Sequence, residues 1–207
     1  MGFMKMALVG GAGAWHGGVF ASLYNGFDAE KYKEMGWGGR GIDRRVEGAR
    51  IVKIWDEDRE TAQALADACG IPQVCTSLEE ATEGIDGAII TDDMTMAHQR
   101  RAVPFLKKGI PTFIDKPLSP NPAEAEELIK LARRHNAPLL SSSGLRFSHE
   151  VEALKSQLEQ SGTISLATTI CTGDVLYYGI HALEAAYAIM GAGVESIINV
   201  GSDDCAV

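Results

Sequence analysis

The protein has 207 residues, of which 45% are apolar and 23% charged, a composition typical of an ordinary soluble globular domain. Acidic residues outnumber lysine and arginine by 28 to 19, and the resulting net charge of −9 disfavours nucleic-acid binding because an acidic surface repels phosphate backbones. An uncharged apolar run of about 18 residues, which a membrane span would need, is missing from the sequence. The four cysteines show no CxxC spacing, so we expect neither a metal site nor disulfides, and we expect a reducing, cytoplasmic setting.

Short apolar segments alternate with amphipathic segments over the first two thirds of the chain. Strands are predicted at 4–9, 49–55, 87–91, 111–114 and 139–142, and helices after the glycine turn that follows the first strand and at 61–69, 94–108 and 122–135. This alternation predicts an α/β fold with a doubly wound parallel sheet of the Rossmann type over residues 1–146. Residues 25–48 are too long for a normal connection and are predicted to be an irregular insertion.

The remaining segment, residues 147–207, has a different pattern and is predicted to be a compact or truncated α/β C-terminal part. Its predicted elements are a helix at 149–160, a strand at 163–171, a helix at 179–190 and a strand near 195–200. This segment is too short to be expected to fold as a domain by itself.

A glycine-rich turn follows the first predicted strand and suggests a phosphate-binding site. Glycines at positions 11 and 13 would let the backbone approach a pyrophosphate, whose charge the N-terminus of the next helix would stabilise. The third fingerprint glycine is replaced by His16 at the strict spacing, with Gly17 next, so an ordinary strand-to-helix turn remains an alternative. The predicted cofactor contacts of this turn are Gly11, Ala12, Gly13, Ala14 and Trp15.

An acidic residue at the end of the second predicted strand strengthens the dinucleotide hypothesis. Asp56 occupies the position from which a carboxylate accepts hydrogen bonds from the ribose hydroxyls of adenosine. The acidic run Asp56-Glu57-Asp58 would repel a 2′-phosphate, so NAD is predicted in preference to NADP. The alternative is that Asp56 is a surface acid at a strand end.

A lysine follows the predicted strand at 111–114, in the sequence Asp115-Lys116-Pro117. Side chains at the carboxyl end of such a strand project into the crevice where a doubly wound sheet binds ligands. Pro117 favours an extended backbone at Lys116, which would aim the ammonium group for proton donation or acceptance. By itself, Lys116 could equally be an ordinary exposed lysine.

Taken in order, these motifs resemble the Gfo/Idh/MocA family of NAD(P)-dependent oxidoreductases. The matching features are the Gly-x-Gly turn, residues 84–91, His98, residues 109–118 and Arg146-Phe147. Asp115-Lys116-Pro117 matches the Glu-Lys-Pro signature of the family, and residues 179–184 resemble its Asp-x-Gly-x-His-x-x-Asp signature. The resemblance implies a Rossmann domain, a C-terminal α/β domain through which subunits associate, and hydride transfer between a nicotinamide and a carbohydrate-like alcohol.

The resemblance also implies roles for individual residues. Lys116 would polarise the reacting oxygen and His181 would exchange its proton. Tyr177 stands where the family has an aspartate, and it would share a helix face with His181 at i, i+4 spacing. All three would contact substrate. Arg146 would either bind a substrate hydroxyl or carboxylate, or form a structural ion pair.

Further cofactor contacts are expected after the third predicted strand and beside the lysine. Thr91, Asp92 and Asp93 would line the nicotinamide ribose or form a solvated loop. His98 would contact the cofactor or make a structural hydrogen bond, while Asp115 and Lys116 are expected at the nicotinamide end.

The chain also departs from the family pattern, and alternatives therefore stay open. The segment before His181 is short, and the chain is either an unusually compact member of the family or a fragment of one. The alternative functions are NAD-dependent glycoside cleavage on the same fold and a non-catalytic NAD-binding sensor. The predicted partners are a small carbohydrate-like substrate and other copies of the chain.

Overall fold

The structure, a computed structural model, describes residues 2–91, 95–158, 162–198 and 200–201. The chain divides into two compact units, residues 1–141 and 142–207, which are considered separately. The boundary expected from sequence, after residue 146, remains a prediction.

A six-stranded parallel sheet forms the centre of the first unit. Its strands lie in the order β3-β2-β1-β4-β5-β6, so the direction of winding reverses between β1 and β4. The strands are β1 (Met4–Val9), β2 (Ala49–Trp55), β3 (Gln73–Val74), β4 (Gly87–Ile90), β5 (Thr112–Ile114) and β6 (Leu139–Leu140). This order is that of a Rossmann fold, in which ligands bind at the carboxyl ends of the strands beside the reversal point, and it confirms the predicted fold class.

Helices cover both faces of this sheet. They are α1 (Trp15–Asn25), α2 (Ala29–Glu34), α3 (Arg59–Cys69), α4 (Leu78–Ala81), α5 (His98–Lys107) and α6 (Pro122–Arg134). Alternate residues of β1 point to opposite faces, so Leu8 belongs to the core cluster that includes residues of α1 and α3, whereas Ala7 and Val9 belong to the cluster that includes residues of α4, α5 and α6. Burial of these apolar side chains on both faces stabilises the unit.

The predicted elements of this unit are confirmed, with small shifts at several ends. The segment at 25–48 is more ordered than predicted, because it contains α2, whose N-terminal amides Glu30 N–H and Lys31 N–H are capped by the Asp28 carboxylate. The insertion also packs against α1. The Tyr32 hydroxyl donates to the Gly18 carbonyl oxygen at 2.5 Å, and the Trp37 ring occupies the space that a Cβ at Gly18 would need.

The second unit contains a 3₁₀ turn at Gly144–Phe147 and two helices, α7 (His149–Leu158) and α8 (Gly179–Met190). The strands predicted at 163–171 and 195–200 are wrong for the residues described there, since none of them forms a strand. A β pattern becomes a strand only when a neighbouring strand accepts its hydrogen bonds, and these segments pair with none in the described part of the chain. None of the helices described in either unit is both long enough and apolar enough to cross a membrane.

Candidate functional site

The glycine turn is fixed to the ends of β1 and β4. Gly10 and Gly11 have φ angles of +77° and +62°, in the left-handed region that favours glycine. Thr91, directly after β4, donates its hydroxyl hydrogen to the Gly10 carbonyl oxygen at 2.7 Å. A Cβ at Gly11 would lie 2.7 Å from that same hydroxyl oxygen, so both the conformation and the close contact require glycine there.

Helix α1 begins directly after this turn, and its N-terminus is suited to an anion. The N-cap residue is Ala14, which has no side-chain acceptor for the first amides of the helix. Gly17 makes the close approach expected of the third fingerprint glycine, because a Cβ there would lie 2.0 Å from the Gly11 carbonyl oxygen. The closing glycine is therefore one residue later than the strict spacing, which leaves the His16 position free to carry a side chain.

Gly13 lies at the exposed side of the turn. A Cβ added there would meet only the Thr61 methyl group, at 3.2 Å. Gly13 and Thr61 border a cavity of about 670 Å³, which Trp37 also lines. Trp15 is 47% exposed, and the Arg40 guanidinium lies 5.4 Å from its ring centroid. The backbone at Gly13 is thus open to a ligand rather than packed against the protein.

Asp56 connects the glycine turn to the end of β2. Its Oδ2 accepts a hydrogen bond from Ala12 N–H at 2.9 Å, and its Oδ1 accepts one from Asp58 N–H at 2.9 Å. An ionised carboxylate has about four lone-pair sites, so Asp56 can also accept hydrogen bonds from two ribose hydroxyls. Its placement fits the predicted contact with adenosine ribose.

Asp58 and Glu57 both have partners within the protein. The Asp58 carboxylate caps α3, accepting hydrogen bonds from the Thr61 hydroxyl and from backbone amides, and the Thr61 hydroxyl is the main cause of its lowered pKa. The Glu57 carboxylate forms ion pairs with Arg100 and Arg101 of α5. The acidic run is therefore partly neutralised by contacts within the first unit, and its repulsion of a 2′-phosphate remains a prediction.

Asp115 and Lys116 follow β5 and are almost completely buried, at 4% and 3% exposure. The His16 imidazole Nδ1–H donates to the Asp115 carboxylate, which connects the first turn of α1 to the end of β5. Lysine is rarely buried unless its ammonium group is held by polar partners, so this position is more specific than an ordinary surface lysine. His16 was not predicted as a site residue, although a histidine at the fingerprint glycine position was a possible signal.

The residues around Lys116 position it through the backbone. The Lys116–Pro117 peptide bond is cis. His98 is 1% exposed, and its Nδ1–H donates to the Pro117 carbonyl oxygen at 2.8 Å. His98 therefore acts on the site through Pro117, and a direct contact with a cofactor stays a prediction. Asp92 and Asp93 lie outside the described residues, and among the described residues no group of three or more metal-ligating side chains forms.

In the second unit, His181 lies in the first turn of α8 and shares a hydrogen bond of 2.6 Å between its Nδ1 and the Ser143 hydroxyl oxygen. Ser143 is 1% exposed, so it holds the imidazole orientation from a buried position. Arg146 forms an ion pair with Glu184, and its guanidinium lies 5.4 Å from the Tyr187 ring centroid. The structural ion pair that was the alternative prediction for Arg146 is thus present.

The i, i+4 spacing predicted that Tyr177 shares a helix face with His181, but the structure does not place Tyr177 in the helix. Helix α8 begins at Gly179, and Tyr177 lies before it in a turn where its N–H donates to Asp174 Oδ1 at 2.8 Å. The aromatic ring beside His181 is that of Tyr178, at 6.2 Å between centroids. The helix geometry assumed for Tyr177 is therefore corrected, while its catalytic role remains a prediction.

The sequence matches the profile of a known protein family. The sequence profile of the Gfo/Idh/MocA family, described as an oxidoreductase family with an NAD-binding Rossmann fold, matches residues 5–142. The chain belongs to the Gfo/Idh/MocA oxidoreductase family. Membership confirms the resemblance seen in the sequence, and the matched region contains the glycine turn, Asp56 and the Asp115-Lys116-Pro117 segment.

Individual members of the Gfo/Idh/MocA family are similar over part of their length. Inositol 2-dehydrogenase of Leifsonia xyli subsp. xyli is 30% identical over 143 residues, covering 68% of this chain and 39% of that protein. An oxidoreductase from Agrobacterium radiobacter, solved with NAD⁺, L-tartaric acid and magnesium, superposes with a TM-score of 0.65 and 19% identity over 91% of this chain and 55% of the other. Scyllo-inositol dehydrogenase from Lactobacillus casei has a TM-score of 0.69 and 16% identity over 92% and 55%. The chain thus spans about half the length of these solved structures and about two fifths of the inositol 2-dehydrogenase.

Proposed function

We propose that this protein transfers a hydride between NAD(H) and a CH–OH group of a sugar, cyclitol or sugar acid. The observation that carries the proposal is the buried Lys116 at the carboxyl end of β5, directly after Asp115, whose hydrogen bond with His16 connects it to the start of α1. This contact links the segment that carries Lys116, a cation suited to a reacting oxygen, to the N-terminus of α1, which is suited to a pyrophosphate.

The residues of the first unit fit an NAD molecule. The uncapped amides at the start of α1 and the open backbone at Gly13 would bind the pyrophosphate, and Asp56 would accept hydrogen bonds from the adenosine ribose. When bound, the nicotinamide supplies the chemistry of accepting or donating a hydride. The chain itself has to orient the alcohol and handle its proton.

Oxidation of a carbinol leaves charge on its oxygen, so a donor must lie within hydrogen-bond reach of that atom. Lys116 is proposed to hold this oxygen with its ammonium group, in an environment from which bulk water is excluded. His181, oriented by Ser143, is proposed to exchange the proton, and Tyr177 and Arg146 are proposed to contact substrate. Support for a polyol substrate comes from the inositol 2-dehydrogenase relative and from the tartaric acid bound in the Agrobacterium radiobacter oxidoreductase.

A nucleotide titration followed by a polyol screen tests the function. We expect calorimetry to show binding of NAD at least about tenfold tighter than NADP, because the carboxylate of Asp56 is proposed to accept hydrogen bonds from the ribose hydroxyls and would repel a 2′-phosphate in their place. With NAD present, the absorbance of reduced nicotinamide should rise with one of a panel of cyclitols, sugars and sugar acids. Absence of NAD binding would contradict the proposal, whereas tightly held NAD that is never consumed would favour glycoside cleavage.

We also propose that copies of the chain associate through the second unit. Helix α8 exposes Leu183, Tyr187 and Met190, at 55%, 38% and 48%, and these residues recur at the spacing of one helix face. Light scattering is expected to show a mass that rises with protein concentration, and the double substitution Leu183→Glu/Met190→Glu should lower it to that of a monomer. A monomer at every concentration in the unmodified protein would contradict this prediction.

A further inference from the structure

Glu57 is held between two arginines at the edge of the proposed adenosine site. It directly follows Asp56, and its two carboxylate oxygens form ion pairs with Arg100 and Arg101, one each. The two arginine side chains differ in environment, since that of Arg101 is 5% exposed and that of Arg100 is 69% exposed. Glu57 thus connects a buried cation to a solvent-facing one.

The Arg101 guanidinium lies at the carboxyl ends of three neighbouring strands. Its Nη1–H donates to the Thr91 carbonyl oxygen, after β4, at 3.2 Å, and its Cζ lies 6.0 Å from the centroid of the Trp55 ring at the end of β2. At the end of β1, a Cβ added to Gly10 would lie 2.1 Å from the same Nη1. These contacts place the guanidinium beside the reversal point of the sheet, where a Rossmann fold binds its dinucleotide.

Charges of both signs lie at this edge. Asp56 and Glu57 carry two negative charges, and Arg100 and Arg101 carry two positive ones. Because a buried guanidinium is costly without a charged partner, Arg101 holds the Glu57 carboxylate in place, and Glu57 in turn holds Arg100. Neutralising Glu57 would leave the exposed Arg100 guanidinium without its carboxylate partner, and a guanidinium is the group that binds phosphate most specifically.

We infer that Glu57 is a specificity-determining residue that keeps a 2′-phosphate out of the adenosine site by occupying the Arg100 guanidinium that would otherwise bind it. This inference rests on the proposed function and adds to it. The acidic run predicted from sequence to repel a 2′-phosphate is thus divided by its contacts, because Asp58 caps α3 while Glu57 holds Arg100.

The test compares Glu57→Gln with the unmodified chain. Calorimetric titration with 5′-ADP and with 2′,5′-ADP isolates the contribution of the 2′-phosphate. We expect the substitution to tighten 2′,5′-ADP binding by about tenfold or more relative to 5′-ADP. A tenfold change in affinity corresponds to a binding free energy of about 1.4 kcal/mol. The double variant Glu57→Gln/Arg100→Gln should lose this gain, because the phosphate would then lack its guanidinium partner.

The matched control is Glu83→Gln, which makes the same change in charge. Glu83 is exposed and precedes β4, so it lies at the amino-terminal edge of the sheet, opposite the proposed site, and its substitution should leave both affinities unchanged. Thermal unfolding is measured in parallel, and Glu57→Gln is expected to melt at a lower temperature because buried Arg101 loses an ion pair.

The outcomes separate this inference from the proposed function. If the unmodified chain binds neither NAD nor 5′-ADP, the proposed function fails. If 5′-ADP binds but the folded Glu57→Gln variant shows an unchanged ratio of the two affinities, the inference alone is overturned. The same conclusion follows if the double variant Glu57→Gln/Arg100→Gln keeps the tighter binding of 2′,5′-ADP. Should Glu57→Gln fail to fold, Asp56→Asn decides, because the inference expects Glu57 still to exclude 2′,5′-ADP there, and tight 2′,5′-ADP binding would overturn it.

Discussion

Substitution of Lys116 by alanine is expected to lower the rate of hydride transfer by about 10²-fold or more, while NAD affinity stays nearly unchanged. The reason is that Lys116 is buried beside Asp115 at the end of β5, where its ammonium group is proposed to hold the reacting oxygen rather than the cofactor phosphates. Steady-state rates and NAD calorimetry on the same preparation measure the two effects separately.

The control for this experiment is Lys107→Ala, which removes an exposed lysine from the last turn of α5 and should change neither quantity. A full rate in Lys116→Ala would overturn the catalytic assignment. Tyr177→Phe removes only a hydroxyl, so an undiminished rate in that variant would limit Tyr177 to packing before α8.

Substitution of Gly13 by valine is expected to abolish NAD binding without unfolding the protein. A branched side chain would occupy the space proposed for the pyrophosphate, whereas within the protein a Cβ at Gly13 meets only the Thr61 methyl group, at 3.2 Å. Calorimetry measures the loss of binding, and circular dichroism with thermal unfolding measures the fold.

Gly17→Val provides the matched comparison within the same turn. A Cβ there would lie 2.0 Å from the Gly11 carbonyl oxygen, so this variant should lose much of its folded structure rather than only its ligand. Normal NAD binding by a folded Gly13→Val protein would show that this turn is not the phosphate site. A fully stable Gly17→Val protein would contradict the close packing of α1 on the turn.

Local sequence patterns determined much of the first unit. The apolar segments at 4–9 and 49–55 became β1 and β2 with the predicted bounds, because a buried parallel strand needs little beyond a short apolar run between turn residues. The glycine turn and the acid at the end of β2 were also found from their positions directly after predicted strands. Positive φ angles at Gly10 and Gly11 and the Asp56 contact with Ala12 N–H agree with that interpretation.

Only the tertiary structure decided the partners of the charged residues. Glu57 pairs with Arg100 and Arg101, 43 and 44 residues away, and His16 pairs with Asp115 at a separation of 99 residues. No local pattern encodes such pairs, because they depend on which strand ends the sheet order brings together. The sequence therefore indicated three acidic charges at the adenosine site, whereas in the structure Glu57 is paired with two arginines and Asp58 caps α3.

The second unit differs from its predicted elements for a similar reason, because these too depend on more than the local sequence pattern. Residues 163–171 have a β-like pattern, but a strand also needs a neighbour to receive its backbone hydrogen bonds, and the described residues provide none. The position of Tyr177 likewise depends on where α8 begins. Because the helix begins at Gly179, two residues later, Tyr177 lies outside it. Composition, apolar period and glycine spacing are local properties that the sequence by itself determined, whereas ion pairs and strand pairing were decided by contacts between distant parts of the chain.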